Sequence, residues 1–447
     1  MTRPSAQPNV PGRGIVASYS PRFWSLVVLV GLAAGLGGAL LIELLRAVQH
    51  LAWSYHSGDF LDAVKRTSST RRVLVLLIGG IVAGVGALGI ARLGSPGEVS
   101  EALWLRGARL PLLSSIARAI HSILVVALGA SLGREAAPQL TGAAAASALS
   151  DWAKLPEWQR RLLVACGAGA GMAAVYNVPL GGALFALEVL LGTLTLPLVL
   201  PALATSLVAT GVAWITLPAR PTYSIPSYPI HASEVLFALL VGPIAGLAAL
   251  LYIRLIAHAH AMRPAGWLRL GAPILVFTAL GATAIAYPEL LGNGKGVVQL
   301  SLVGGIGAGL LAVLLLLKPI ATAACLGSGT PGGLFTPTLA FGVLLGGLLG
   351  HGWSEIWPGA PLGAYAIIGG AAVLAACMQG PLAAVVLLLE LTHHADALMV
   401  PVLLAVVEAT VFTRILGVPS IYSARLSHYE NEDDSIDEIT RTALVPE

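Results

Sequence analysis

The stretch Gly129-Ala-Ser-Leu-Gly-Arg-Glu-Ala-Ala-Pro-Gln-Leu-Thr-Gly142 lies between two apolar segments, yet it carries Arg134 and Glu135. Glycines at 129 and 133 allow the backbone a tight turn. Behind them, Glu135 to Ser150 is rich in alanine and predicts a helix with Pro138 in its first turn, where N–H groups have no intrahelical partner in any case. A helix that starts in apolar surroundings offers free N–H groups and the positive end of its dipole, which together make an anion site. Glu135 stands at that same end, so its carboxylate and a dissolved anion would compete for one place. The plainer alternative is that Glu135 caps its own helix and Arg134 pairs with a neighbour. In a chain this apolar, an ionisable pair inside the bilayer points to function.

The surrounding chain supports a bilayer setting. Of 447 residues 56% are hydrophobic and only 11% charged, against about 25% charged in globular proteins. Mean hydropathy is +0.84. This composition predicts an all-α polytopic membrane protein, with the lipid bilayer as its first partner. The 52 glycines and 28 prolines fit close helix packing and broken helices. A formal charge of +3 is too small to imply a nucleic-acid partner. The three cysteines fall in apolar segments and read as small buried hydrophobes. Residues 1–21 are polar and lack the apolar core of a signal peptide. Residues 22–428 form the expected transmembrane domain, and 429–447 an acidic tail. The 25 residues after Tyr422 are expected to be too few for a regulatory domain.

Several apolar runs are long enough to span: 23–45, 73–92, 234–257, 267–287 and 300–317. Others are interrupted by Gly or Pro, among them 319–327 and 334–350, and these are expected to meet in the middle of the protein. The chain also repeats. Gly167 to Glu188 can be laid over Gly369 to Glu390, with Pro179 on Pro381 and Glu188 on Glu390, both 202 residues apart. Ahead of them Gly133, Pro138 and Leu140 match Gly332, Pro337 and Leu339, each 199 apart. Two halves, 23–217 and 232–417, would then each supply one broken helix with its N-terminus inside. Binding between repeats through half-helix N-termini is a transporter pattern. Glu188 and Glu390 read as structural acids, each accepting hydrogen bonds from the backbone of a neighbouring helix.

Taken together, Gly133-Arg-Glu135, Gly329-Thr-Pro-Gly-Gly-Leu-Phe-Thr-Pro337, Asn177-Val-Pro-Leu180 and Ser420-Ile-Tyr422-Ser423 resemble the CLC family of chloride channels and chloride/proton antiporters, in the family's order and at its distances, from about residue 23 to about 428. The resemblance implies two inverted repeats of full-length and broken or re-entrant helices. It also implies a homodimer in which each subunit has its own anion path, and residence in the plasma (inner) membrane of a prokaryote. Chloride or another small anion is then the substrate, with no cofactor. Position by position, it makes Glu135 the gating carboxylate. The backbone N–H groups of Leu334 and Phe335 become ligands of the central anion, and Tyr422 adds its hydroxyl on the cytoplasmic side.

Three departures qualify these expectations. The family's selectivity loop reads Gly-Ser-Gly-Ile-Pro, and the best match here is Gly94-Ser-Pro-Gly-Glu98. Either Ser95 or Pro96 then occupies the ligand position, and family members with proline there tend to favour nitrate. An extra residue follows Glu135, in Gly-Arg-Glu-Ala-Ala-Pro. Lastly, the family's antiporters carry two successive glutamates where this chain has Glu188-Val189. Valine cannot carry a proton, which favours channel-like or weakly coupled transport over chloride/proton antiport. Glu408, in the last full apolar segment, is a candidate replacement relay; otherwise it pairs with Arg414 or with another helix. Lys318 reads as a snorkelling side chain. No zinc spacing, ATP-binding loop or catalytic constellation appears, which excludes a metal site, an ATP-driven pump and an intramembrane enzyme from the expectations.

Overall fold

The structure is a computed structural model that describes residues 19–94 and 97–426. The expected N-terminal segment before Tyr19, the acidic tail, Ser95 and Pro96 lie outside the described residues. The first half runs through α1 (Pro21–Trp53), α2 (Phe60–Arg66), α3 (Ser69–Arg92), α4 (Val99–Leu105), α5 (Leu112–Ala127), α6 (Ala136–Trp152), α7 (Glu157–Tyr176), α8 (Pro179–Leu184) and α9 (Leu196–Ala213). The second runs through α10 (Ala232–Ala261), α11 (Leu268–Ala286), α12 (Lys295–Leu302), α13 (Ala308–Gly327), α14 (Phe335–Ile356), α15 (Leu362–Met378), α16 (Pro381–Thr392) and α17 (Met399–Ile415). Among the described residues eight helices are long and apolar enough to cross a membrane, while α5, α15 and α16 are shorter. The protein is a multi-pass integral membrane protein.

The repeat is visible in the backbone. Asn177 ends α7 and Gln379 ends α15, both in the left-handed region with φ of 59° and 57°, and each is followed by a helix with Pro at its first position. A left-handed residue stops a helix by turning its last N–H back onto the final turn; proline then starts the next one. The halves also pack alike. A Cβ added at Gly142 on α6 would collide with the Gly167 carbonyl on α7, and one added at Gly346 on α14 would collide with Gly369 on α15. Glycine at these crossings lets the backbones touch, which is how helices associate where lipid is as apolar as the side chains.

Two acids join the halves across their pseudo-twofold axis. Glu188 sits in a π-helical turn, Phe185–Leu190, that continues α8. Its carboxylate accepts from the N–H groups of Leu382 (3.2 Å) and Ala383 (2.6 Å) at the start of α16. Glu390 on α16 returns the arrangement, accepting from Leu180 (3.1 Å) and Gly181 (2.6 Å) at the start of α8. Each carboxylate thus satisfies otherwise orphaned donors of the opposite half and lies on a positive helix end. This is the structural role expected for the matched pair.

Two expectations fail. No helix break occurs at Pro319, since α13 runs through it; the interruption falls earlier, between α12 and α13. Gly304 there adopts φ 69°, and the N–H groups of Gly304 and Gly305 close back onto the carbonyls of Ser301 and Leu300. Nor does Lys318 snorkel. It is 1% exposed, and its Nζ donates at 2.9 Å to the carbonyls of Leu290 and Gly292. Gly292 in turn donates its N–H to the Gly129 carbonyl, so this buried lysine braces the loop that carries Glu135.

Replacing Glu188 or Glu390 by alanine strips two charge-assisted bonds from a helix start. Each substitution is expected to lower the stability of the detergent-purified protein by about 1–2 kcal/mol, read as an earlier thermal midpoint; unchanged midpoints would show the crossed caps to be idle.

Candidate functional site: Glu135 at the start of α14

The loops that open α6 and α14 meet at the centre. Gly133 and Gly333 exchange both backbone hydrogen bonds, at 2.7 and 2.8 Å, in an isolated antiparallel bridge. The sequence register aligns Gly133 with Gly332 instead. The difference of one residue arises because the first loop carries one residue more between its bridging glycine and its proline. α6 therefore starts at Ala136 and α14 at Phe335, with Glu135 and Leu334 just ahead of them.

Glu135 makes no side-chain cap bond to its own helix. It is 2% exposed and reaches across to α14, where Oε1 accepts from the Phe335 N–H at 2.7 Å. Oε2 accepts from the Tyr176 hydroxyl at 3.0 Å, and Thr336 Oγ1 stands 3.3 Å from the same oxygen. The carboxylate thus occupies the kind of place an anion takes at a helix N-terminus. A Cβ on either Gly133 or Gly333 would collide with it. Arg134 forms no ion pair among the described contacts; its guanidinium lies over the Tyr176 ring, 5.0 Å from the centroid, and its Nε has no hydrogen-bond partner.

Glu135 and Tyr176 lie between two cavities. A narrow one of about 70 Å³ is lined by Glu135, Leu334, Phe185, Tyr422, Gly97 and Glu98, among others. A wide one of about 750 Å³ is lined by Arg134, Tyr176, Arg46, Arg220 and Lys295, among others. Its lining carries four cations, Arg46, Arg134, Arg220 and Lys295, against two acids, Asp59 and Glu289, a balance that favours anions over cations. In the narrow cavity Tyr422 packs edge-on against Phe185, with ring centroids 5.9 Å apart.

Three of the residues expected from the sequence, Glu135, Leu334 and Tyr422, line one cavity, and Phe335 holds Glu135 by its N–H. Ser95 and Pro96 lie outside the described residues, although Gly97 beside them reaches the narrow cavity. Glu408 is elsewhere. It lies on α17 against Gly242 of α10, lines neither cavity, and its Oε2 has no hydrogen-bond partner. It does not pair with Arg414, which donates to Gln379. Val189 packs close to Gly380.

Two features escape sequence reasoning. Tyr176 stands one residue before the Asn177-Val-Pro turn, but its hydroxyl is brought to Glu135 only by tertiary packing. Glu98, at the end of the Gly94–Glu98 loop, is gripped by arginines from three other parts of the chain: Arg425 at 2.6 Å, Arg263 at 3.6 Å and Arg118 at 4.0 Å. Burial works to raise its carboxyl, but Arg425, Arg263, His260 and Arg118 outweigh that and hold it at about 2.

The Glu135 carboxylate thus sits on a helix end between two cavities of an all-helical membrane fold. The sequence model described as Voltage gated chloride channel matches residues 90–414. A voltage-gated ClC-type chloride channel ClcB of Citrobacter koseri is 32% identical over 419 residues, 89% of this chain and 97% of the relative. A putative chloride channel protein ClcB-like of Ralstonia nicotianae is 33% identical over 426 residues, 91% and 97% respectively. The chain belongs to this voltage-gated chloride channel (CLC) family. Among solved structures, a slow cyanobacterial Cl⁻/H⁺ antiporter superposes with a TM-score of 0.80 at 20% identity, over 93% of this chain and all of that one. A CLC-type fluoride/proton antiporter gives 0.73 at 21%, over 90% and 97%. The all-α fold of paired repeats is shared with both.

Gly333→Ala introduces a methyl group where the Glu135 carboxylate now lies. It is expected to expel that carboxylate and flatten the pH dependence of anion flux in liposomes, with Glu135 still present; an unaltered pH profile would show that the carboxylate need not occupy this place.

Proposed function

We propose that the chain carries chloride across the membrane from one cavity to the other past Glu135, with channel-like or weakly proton-coupled behaviour. The observation that carries the reading is the Glu135 carboxylate seated on the α14 N-terminus between the two cavities. Ionised, it blocks the place a chloride would take. Protonated, or outcompeted by chloride, it leaves. The N–H groups of Leu334 and Phe335 then hold the anion, Tyr422 contributes its hydroxyl in the narrow cavity, and Ser95 or Pro96 sets the choice between chloride and nitrate. All these groups belong to one chain, in keeping with a homodimer whose subunits each conduct. A bacterial plasma membrane is the proposed setting.

Weak coupling follows from the route a proton would need. Val189 stands where the family's antiporters have their second glutamate. The other carboxylate among the residues lining the narrow cavity is Glu98, which its arginines keep ionised down to about pH 2. A carboxylate that never protonates in the working range cannot ferry protons.

Antiport at a fixed ratio is the second reading, and one observation favours it. Tyr176 lines the wide cavity and touches Glu135, so half of a proton route has a hydroxyl in place. Simultaneous recording of chloride and pH in proteoliposomes, clamped near zero potential with a potassium ionophore, separates the two. The expected result is chloride flux with little proton counterflow, and Glu135→Gln should pass chloride with a flattened pH profile. Uphill proton movement at a constant ratio would establish antiport; its loss in Glu408→Gln would move the relay to that residue.

A further inference from the structure

Glu135 is held by more than a helix end. Tyr176 Oη and Thr336 Oγ1 are 2.6 Å apart, and both face the same carboxylate oxygen, at 3.0 and 3.3 Å. Two hydroxyls bring two protons to three oxygen–oxygen contacts. If both donated to Glu135, their lone pairs would face each other across the shortest contact. The favourable arrangement is a directed chain, in which Thr336 donates to Tyr176 and Tyr176 donates to Oε2. Such chains strengthen along their length when they end on a charge. If Glu135 takes up a proton the chain can reverse, but its last bond is then between neutral groups and weaker.

We propose that Tyr176 and Thr336 form a hydroxyl clamp that selects the ionised, blocking position of Glu135, so that the pathway opens only at lower pH or higher anion concentration than the helix end alone would require. The inference rests on Glu135 being the gate. Tyr176 and Thr336 are positioning residues: they act through the carboxylate. Other groups face Glu135 as well. Arg134 and Tyr223 lie beside Tyr176, Tyr252 approaches from α10, and Tyr422 comes with Arg425 and Glu98 nearby. Among the described residues, the only side-chain groups within hydrogen-bond reach of the carboxylate are the Tyr176 and Thr336 hydroxyls. The cations near Tyr176 and Tyr422 favour the ionised form by charge at a distance, and they stay in place when the hydroxyls are removed.

The test is Tyr176→Phe. It deletes one oxygen and keeps the ring that packs against Phe335 and Arg134. Losing a donor to the ionised form makes Glu135 easier to protonate, so the sign is a rise. The pH midpoint of chloride flux in liposomes is expected to move up by about 1 unit, a tenfold change in proton concentration. At pH 7.5 chloride is expected to compete at roughly tenfold lower concentration for the same reason. Thr336→Val, which keeps the side-chain shape, should shift both readouts in the same direction by less, and the double variant by less than the two shifts added, since the two hydroxyls act as one chain. Glu135→Gln is the control. If it flattens the pH profile while Tyr176→Phe and Thr336→Val leave or lower the midpoint, the clamp is overturned and the gate stands. If Glu135→Gln leaves the profile unchanged, the gate falls and the clamp with it.

Discussion

A single carboxylate resting on the first turn of another helix sets the terms for the rest of this protein. An orphan N–H at a helix start is a strong, inexpensive anion ligand, because it needs no positive side chain and brings its own dipole. It works best where water is scarce. The fold must therefore bring a helix to begin in the buried interior, as α14 does at Leu334 and Phe335, where unpaired backbone is otherwise costly. The Gly133–Gly333 bridge solves this problem by letting two irregular loops satisfy each other. Each loop is tolerated because the other is there.

That requirement explains the paired architecture. One interrupted helix alone would leave its loop bare; two packed loop against loop supply each other's partners. The same exchange recurs away from the pathway, where Glu188 and Glu390 cross over to cap α16 and α8. Lys318 adds a brace without symmetry, binding carbonyls of the loop that contacts Gly129. The arginines that line the narrow cavity are balanced in part by Glu98.

How much of this the sequence disclosed depended on the range of the interaction. The helix opening behind Glu135, the repeat around Asn177 and Gln379, and the two capping acids are written in local order and spacing, and all were legible. The break misplaced at Pro319 shows where local rules mislead: proline is a reliable stop signal in water, but inside a packed membrane bundle glycine with positive φ decided the boundary instead. Tyr176 and Glu98 were invisible for a different reason. Glu135 lies 41 residues from Tyr176 in sequence and Arg425 stands at the far end of the chain from Glu98, and nothing in a tyrosine at the end of an apolar helix announces what its hydroxyl will meet. Glu408 illustrates the converse, an acid made conspicuous by composition that lies away from both cavities.

The crossed caps of Glu188 and Glu390 also bear on how the chain is made. The starting N–H groups of α8 are satisfied by residue 390, and Gly133 by residue 333. While the ribosome adds the intervening 200 or so residues, at about 5–20 per second, the first half must spend on the order of 10–40 seconds in the membrane with those donors exposed. In that interval water, lipid headgroups or the insertion machinery must stand in for the missing half. Maturation of this transporter is thus timed by the arrival of its own second copy of the repeat.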